Sequence, residues 1–519
     1  MANLFEHEDR RVVPNWRSFG RTTVIGELNS FQKERSEPIV ETSIDEYIID
    51  FELSSTVVHA ADLVSAAIVN NKRNNTHALK ASQFILNNKE KATKSQLSLA
   101  QNYLNDDEKF DVSARFENVG TSNLPVVINP IPFYKKISET KQLLRANPNN
   151  AILYVELSRY YSVLGQEEYS VQAMKTALHL APNNRFVLRS AARLFAHYNS
   201  VENDHLEYIH RVLKKSPMTN IDPWLTAAEI SISTIRGVNS NLIKSGIQLI
   251  NSGNISPFNY TELASSIGTV ELLNGSNKRC RTFFDKSLIS PNDNTLAQIE
   301  WASTKDHRLE VVQDKFQVKL NYEALALDHF HNSEYEKSIE NAAKWFSDQP
   351  FSKRPIMFGS NLASTILKDQ EKSIAFLKAG LTSHPYDPQL INNLAYSLAL
   401  NNKPQEAFEE IKKIKPDAKI DTSTQICLSA TKGLAYFRLG YPDIGRQFYL
   451  EAIEQTNAIN NRSLNWVAIL NYAREEILQK SEYADSLIDS VSKIPQNIDD
   501  VVINTLRNDL IELYKSKKS

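Results

Sequence analysis

The chain has 519 residues, and its 59 Lys and Arg against 61 Asp and Glu leave a formal net charge of −2. That near balance disfavours a protein gripping a nucleic-acid backbone along its length, and 41% hydrophobic residues with 9% aromatics exclude wholesale disorder. Only 14 glycines and 19 prolines suit helix interiors, where glycine costs about 1 kcal/mol and proline about 3 kcal/mol.

Residues 1–54 read as an irregular arm. Arg10, Arg11, Arg17 and Arg21 stand among Trp16, Phe19, Pro14 and Gly20, and an acidic, apolar segment follows to Glu52. Two roles are open: an arm packed on the first helices with its arginines paired to those acids, or a docking arm, since Trp and Arg often dominate interfaces. Contact with nucleic acid is a third, confined to this local basic patch. Residues 55–135 form a helical region and a linker. Val57, Val58, Ala61, Val64 and Ile68 are read as one apolar face with Leu63 at its edge, and Gly120, Pro125, Pro130 and Pro132 break the stretch that follows.

Over 136–218 the spacing is that of helical hairpins. Tyr154, Leu157, Ser158 and Tyr161, then Ser170, Met174 and Ala177, run up to Pro182; Leu188, Ala191, Ala192 and Phe195 run up to Pro217. Residues 219–318 carry a weaker version through Tyr260, Leu263, Ile267, Val270, Phe283 and Pro291, read as a diverged, continuous part of the same array. The pattern is clearest over 319–457. Tyr322 to Ala326, Ser333 to Tyr335 and Ala342 to Trp345 end at Pro350; later copies end at Pro385 and Pro416, and a last one runs from Gly433 through Gly440, Gly445 and Tyr449 to Ala452. Small residues opposite bulky ones let two helices approach, and each proline stops a second helix for want of a backbone donor. Helices over 458–519 should cap the stack.

This recurrence resembles the tetratricopeptide repeat, a two-helix unit of about 34 residues that stacks into a superhelix. The resemblance implies an all-α solenoid of helical hairpins with an irregular N-terminal arm. It also implies that the first helix of each hairpin lines a concave groove. In that register Arg159, Arg189, Arg193 and His197 form a basic strip suited to an acidic segment, a carboxylate or a phosphate, or else pair with neighbouring glutamates. Phe358, Leu362, Asn392, Asn393 and Tyr396 form an amide and aromatic strip for an extended backbone. Asn393 falls at one position of the chaperone carboxylate clamp, but Phe358, Leu362, Cys427 and Thr431 at the companion positions supply no cation.

No phosphate loop, Cys-x-x-Cys or His-Glu-x-x-His occurs, so no catalytic residue, cofactor or metal is assigned. The nearest histidine pairs are His329 with His331 and His205 with His210, and His329 reads as a core or hairpin-lining residue. Two lone cysteines, Cys280 and Cys427, fit a reducing compartment, and Glu6, Glu8 and Asp9 stand where a secretory signal would be apolar, so a cytoplasmic protein is expected. Frequent Asn and Lys suggest an AT-rich, bacterial genome. The expected function is a non-enzymatic scaffold or adaptor that binds partner proteins through the groove and through Arg10, Arg11, Trp16, Arg17, Phe19 and Arg21. The alternatives are a peptide-responsive sensor and a nucleic-acid-associated subunit.

Overall fold

The structure, a computed structural model, describes residues 12–19, 44–69, 75–104, 131–198 and 204–518 apart from 310, 417, 419, 496, 497 and 499. Every regular element among them is helical. The chain divides into two compact units, Gly20–Leu124 and the remainder, so residues 12–19 group with the long helical array and not with the helices that follow them.

The smaller unit holds α1 (Ile44–Leu53), α2 (Val57–Val69), α3 (Thr76–Asn87) and α4 (Lys94–Leu104). Its core is largely alanine and aliphatic: Val57, Ala60, Ala61, Leu63, Val64 and Ala67 of α2 are buried, whereas Val58 and Ile68 are exposed. The buried face therefore differs from the one read from the bulky side chains. Ala60 and Ala67 complete the spacing 57, 60, 61, 64 and 67, and let α3 approach closely.

The larger unit opens with α5 (Ile131–Ala146) and continues as hairpins: α6 (Ala151–Val163) with α7 (Glu167–Leu180), α8 (Arg185–His197) with α9 (His205–Lys215), α10 (Pro223–Ile235) with α11 (Ile243–Asn251), and α12 (Pro257–Leu273) with α13 (Asn277–Ser287). After α14 (Asp293–Ser303) two short 3-10 turns stand where a second helix is expected. The array then resumes with α15 (Tyr322–His331), α16 (Tyr335–Asp348), α17 (Lys353–Asn361, prolonged by a π turn), α18 (Gln370–Ser383), α19 (Pro388–Leu400) and α20 (Pro404–Ile411). It closes with α21 (Thr422–Arg438), α22 (Pro442–Ala458), α23 (Arg462–Leu478), α24 (Ala484–Ser492) and α25 (Val501–Lys518). The chain is an all-α helical solenoid.

Local sequence explains these boundaries. Asn150, Asn184, Asp222, Asn292, Asp387, Asp421 and Asn461 each cap a first helix by accepting a backbone N–H, which answers donors that the helix itself leaves unpaired. In eight of the hairpins the inner turn places one residue in the left-handed region, at Gly165, Gly237, Gly275, Ser333, Lys368, Asn402, Gly440 and Lys480. Half of these are not glycine, so the turn geometry outweighs the roughly 1 kcal/mol that a Cβ costs there.

First helices of successive hairpins lie side by side from α6 to α14 and again from α19 to α23. The array curls until α6 touches α18, where Ser383 Oγ donates to the Val163 carbonyl at 2.9 Å. A Cβ at Gly165 would stand 2.8 Å from Pro385 Cδ, so the backbones at this seam are close.

Candidate partner-binding groove

Inside that closed turn lies the arm. Val12, Val13 and Trp16 are fully enclosed, with Trp16 1% exposed, and the backbone of Val12 and Val13 is held by side chains from distant helices. Gln298 Oε1 on α14 accepts the Val12 N–H at 3.2 Å, Ser231 Oγ on α10 donates to the Val12 carbonyl at 3.2 Å, and Asn294 Nδ2 donates to the Val13 carbonyl at 3.2 Å. Asn15 donates to Asp293 at 2.6 Å, and the Phe19 N–H donates to Glu156 on α6 at 2.6 Å. The Trp16 ring lies 5.1 Å from Phe351, and Phe19, 40% exposed, meets the Phe186 edge at 5.0 Å.

Arg17 fixes the far end. Its guanidinium sits 2.8 Å from Asp293 and 2.6 Å from Asp348 with only 6% exposure. Burial would depress its pKa, but the two carboxylates outweigh burial and raise it above the ordinary arginine value. Glu156 shifts upward because burial penalises its charge, an effect that Arg159 opposes. The other arm residues named from sequence, Arg10, Arg11 and Arg21, lie outside the described residues.

The four residues of the basic strip come together around this same turn, turned inward. Arg189 makes a two-pronged bond to Glu262, at 2.8 and 3.1 Å, with its guanidinium 4.7 Å from the Trp224 ring centre. Arg159 Nη2 donates to the Asp348 carbonyl at 3.4 Å, and Arg193 is 1% exposed. His197 packs against Phe351 and His384, with ring centres 5.7 and 5.1 Å away. An acidic ligand would therefore meet Arg189 already neutralised by Glu262, a residue 73 positions away that no short-range reading could pair with it.

Of the second strip, Phe358 points into the hairpin core, 2% exposed, between Phe330 and Trp345. Leu362 is buried in that core too. Asn392 and Asn393 stand on the wall of an open cavity of about 1110 Å³ that runs past the starts of α19, α21, α23 and α25. Asn392 accepts from Thr431 at 2.9 Å and donates to Asn393 at 3.2 Å, and Asn393 Nδ2 lies 3.5 Å from Met357 Sδ. Tyr396 lines an adjoining smaller pocket and donates to Asn471 at 2.8 Å.

The cavity also exposes residues that the sequence reading passed over: Asn361 just before the π turn, and Asp328, Asp421, Asn461 and Asp500. Asp421, Asn461 and Asp500 accept backbone N–H groups of α21, α23 and α25, and Asp328 accepts amides of Gln313 and Asn332. The Asp or Asn that recurs at the start of many first helices was a legible signal for Asp421, Asn461 and Asp500. Among the described residues no cation pairs with Asp328, Asp421 or Asp500. The flagged histidines are engaged locally: His329 lies 2.7 Å from Glu334, His331 3.3 Å from Glu300 and His210 3.2 Å from Glu229, while the His205 ring lies 5.3 Å from Phe195.

No family model and no curated protein matches the chain. Among solved structures it is similar to the crystal structure of the APC/C hetero-tetramer Cut9-Hcn1, at 13% identity and TM-score 0.35, over 95% of each chain. It is also similar to the crystal structure of the P58(IPK) TPR domain, at 13% identity and TM-score 0.17, over 70% of this chain and 95% of that one. Similarity at this level bears on neither ligand nor partner. No helix among the described residues is long and apolar enough to cross a membrane.

Proposed function

We propose that the chain is a non-enzymatic scaffold or adaptor that holds an extended segment of a partner protein in the open stretch of its groove, beside Asn392, Asn393 and Tyr396. The observation that carries this reading is the arm. It shows the solenoid wall gripping a segment that has no helix or strand of its own through amide and hydroxyl side chains on the backbone, the way Gln298, Asn294 and Ser231 hold Val12 and Val13. The open cavity presents the same kinds of group in Asn361, Asn392 and Asn393. An extended backbone needs such donors and acceptors, because burying it unpaired costs about 1–3 kcal/mol per group.

Charge refines the class of segment. Asp421 and Asp500 are offset by the helix starts they cap, and Asp328 by amides, so the wall is polar and mildly acidic. A neutral-to-basic segment fits it better than an acidic one. The test is site-directed cross-linking in the native cell from Cys427, which lines the cavity. One protein cross-linked at fixed stoichiometry, and lost in Asn392→Ala/Asn393→Ala, supports the reading; cross-links indifferent to those substitutions overturn it.

A further inference from the structure

We propose that the N-terminal turn is a second peptide site, specific for an extended segment of the form apolar–apolar–Pro–x–Trp–Arg. Residues 12–17 occupy it in cis, and a partner protein carrying that pattern exchanges with them. This goes beyond the open cavity, which plays no part in it.

Three features of the arm are those of a held ligand. Among the described residues its contacts are with the wall, and between Val13 and Ser18 it has neither helix nor strand of its own. Among the described residues, the bonds to it come from residues far away in sequence, on α6, α10, α14 and α16, so the contacts form a site built from the wall alone. Recognition is also divided as in peptide complexes, with hydroxyl and amide groups on the backbone, one aromatic anchor against Phe351 and a charge-matched arginine.

The fit carries costs that favour exchange. Val12 holds φ at +60°, a conformation that a β-branched residue adopts only when its surroundings force it. Trp16 Nε1 and Asn15 Oδ1 are buried without a hydrogen-bond partner among the described residues. A competing segment with glycine or asparagine at the first position, or one able to satisfy those atoms, loses nothing of the Arg17 and Trp16 contacts. The route for exchange is the seam at which α6 meets α18, joined through Ser383 and Val163 and flanked by the His197–His384 pair.

The experiment uses the full chain bearing Trp16→Ala and Arg17→Ala, and a fluorescent peptide with the sequence of residues 10–21. The double variant should bind one peptide. Wild-type chain, with its cis competitor, should bind at least tenfold more weakly, and so should a peptide with glutamate in place of the arginine that corresponds to Arg17. A folded double variant that binds no peptide, or binds the glutamate peptide equally well, overturns the proposal. If the double variant loses helical circular dichroism, hydrogen exchange of the wild-type chain decides. Arm amides that exchange faster than those of α10 and α14 support exchange of the arm, and arm amides that open only together with these helices overturn it. Asn392→Ala/Asn393→Ala should leave peptide binding unchanged, which separates failure here from failure at the open cavity.

Discussion

Arg17 and Asp348, 331 positions apart, meet at 2.6 Å inside the first turn of the solenoid, and the same guanidinium holds Asp293. Both carboxylates are buried, so removing the cation leaves two uncompensated charges in a poorly solvated place. Arg17→Ala should therefore destabilise the turn by about 3–5 kcal/mol, whereas Arg17→Met combined with Asp293→Asn and Asp348→Asn should recover most of that loss. Denaturant unfolding followed by hydrogen exchange on α14 and α16 reads it. A single variant within about 0.5 kcal/mol of wild type would show that the bridge contributes nothing net.

A second prediction concerns the close approach of α21 and α22. A Cβ at Gly445 would stand 2.5 Å from Phe437 and 2.8 Å from the Gly433 carbonyl, and one at Gly433 would stand 2.9 Å from Tyr449. Gly445→Ala must push the helices apart or drive Phe437 from its rotamer, at about 1–3 kcal/mol. Limited proteolysis should then cut between Arg438 and Tyr441 sooner than in wild type, with α6–α9 unaffected; an unchanged pattern would mean that the hairpin absorbs the methyl group.

The contrast between these two sites shows what a sequence makes legible. The glycine pair and the stopping prolines act within one hairpin, so spacing alone exposes Gly433, Gly445, Pro350 and Pro385. The arm acts across hundreds of residues, and nothing near Arg17 in sequence names Asp293 or Asp348. The same long-range fact explains why 219–318 looked weak. Helices α10, α12 and α14 are buried on nearly every side, and Ser231, Glu262, Asn294 and Gln298 serve the arm and Arg189 in place of a groove open to water. A helix enclosed all round loses the periodic contrast that marks an amphipathic one. Alanines in α2 hid its true face for a simpler reason: they weigh little in a reading built on bulky side chains.

Thiol labelling separates the two cysteines. Cys280 is buried between α13 and its neighbours, and burial, with Asp306 adding to it, pushes its thiol up to about 11. Cys427 is half-buried on the cavity wall. A maleimide at neutral pH should modify Cys427 many-fold faster, because only the thiolate reacts and Cys280 offers almost none of it. A bound partner segment should slow Cys427 and leave Cys280 unchanged. Equal rates for the two would mean that α13 opens readily or that the cavity is closed in solution.

The seam predicts an acid dependence. His384 packs against His197, with Nε2 2.9 Å from the Phe351 carbonyl, and Asp387 and Lys353 are the charged groups facing it. Burial lowers its pKa from 6.5 to about 4, Asp387 opposing the shift and Lys353 adding to it. The unfolded chain then binds a proton that the folded chain refuses between about pH 6.5 and pH 4, so stability is full above that window and falls as the pH drops through it. The ceiling is about 3 kcal/mol, reduced to about 1–2 kcal/mol because the ring keeps partial solvent exposure. Replacing His384 with Gln, which keeps a donor for the Phe351 carbonyl, should flatten this part of the stability profile between pH 7 and pH 4.5 without lowering the value at pH 7 by more than about 1 kcal/mol. If the profile keeps its full slope in that variant, the seam histidine is not the group that titrates, and the acid sensitivity belongs to carboxylates elsewhere in the solenoid.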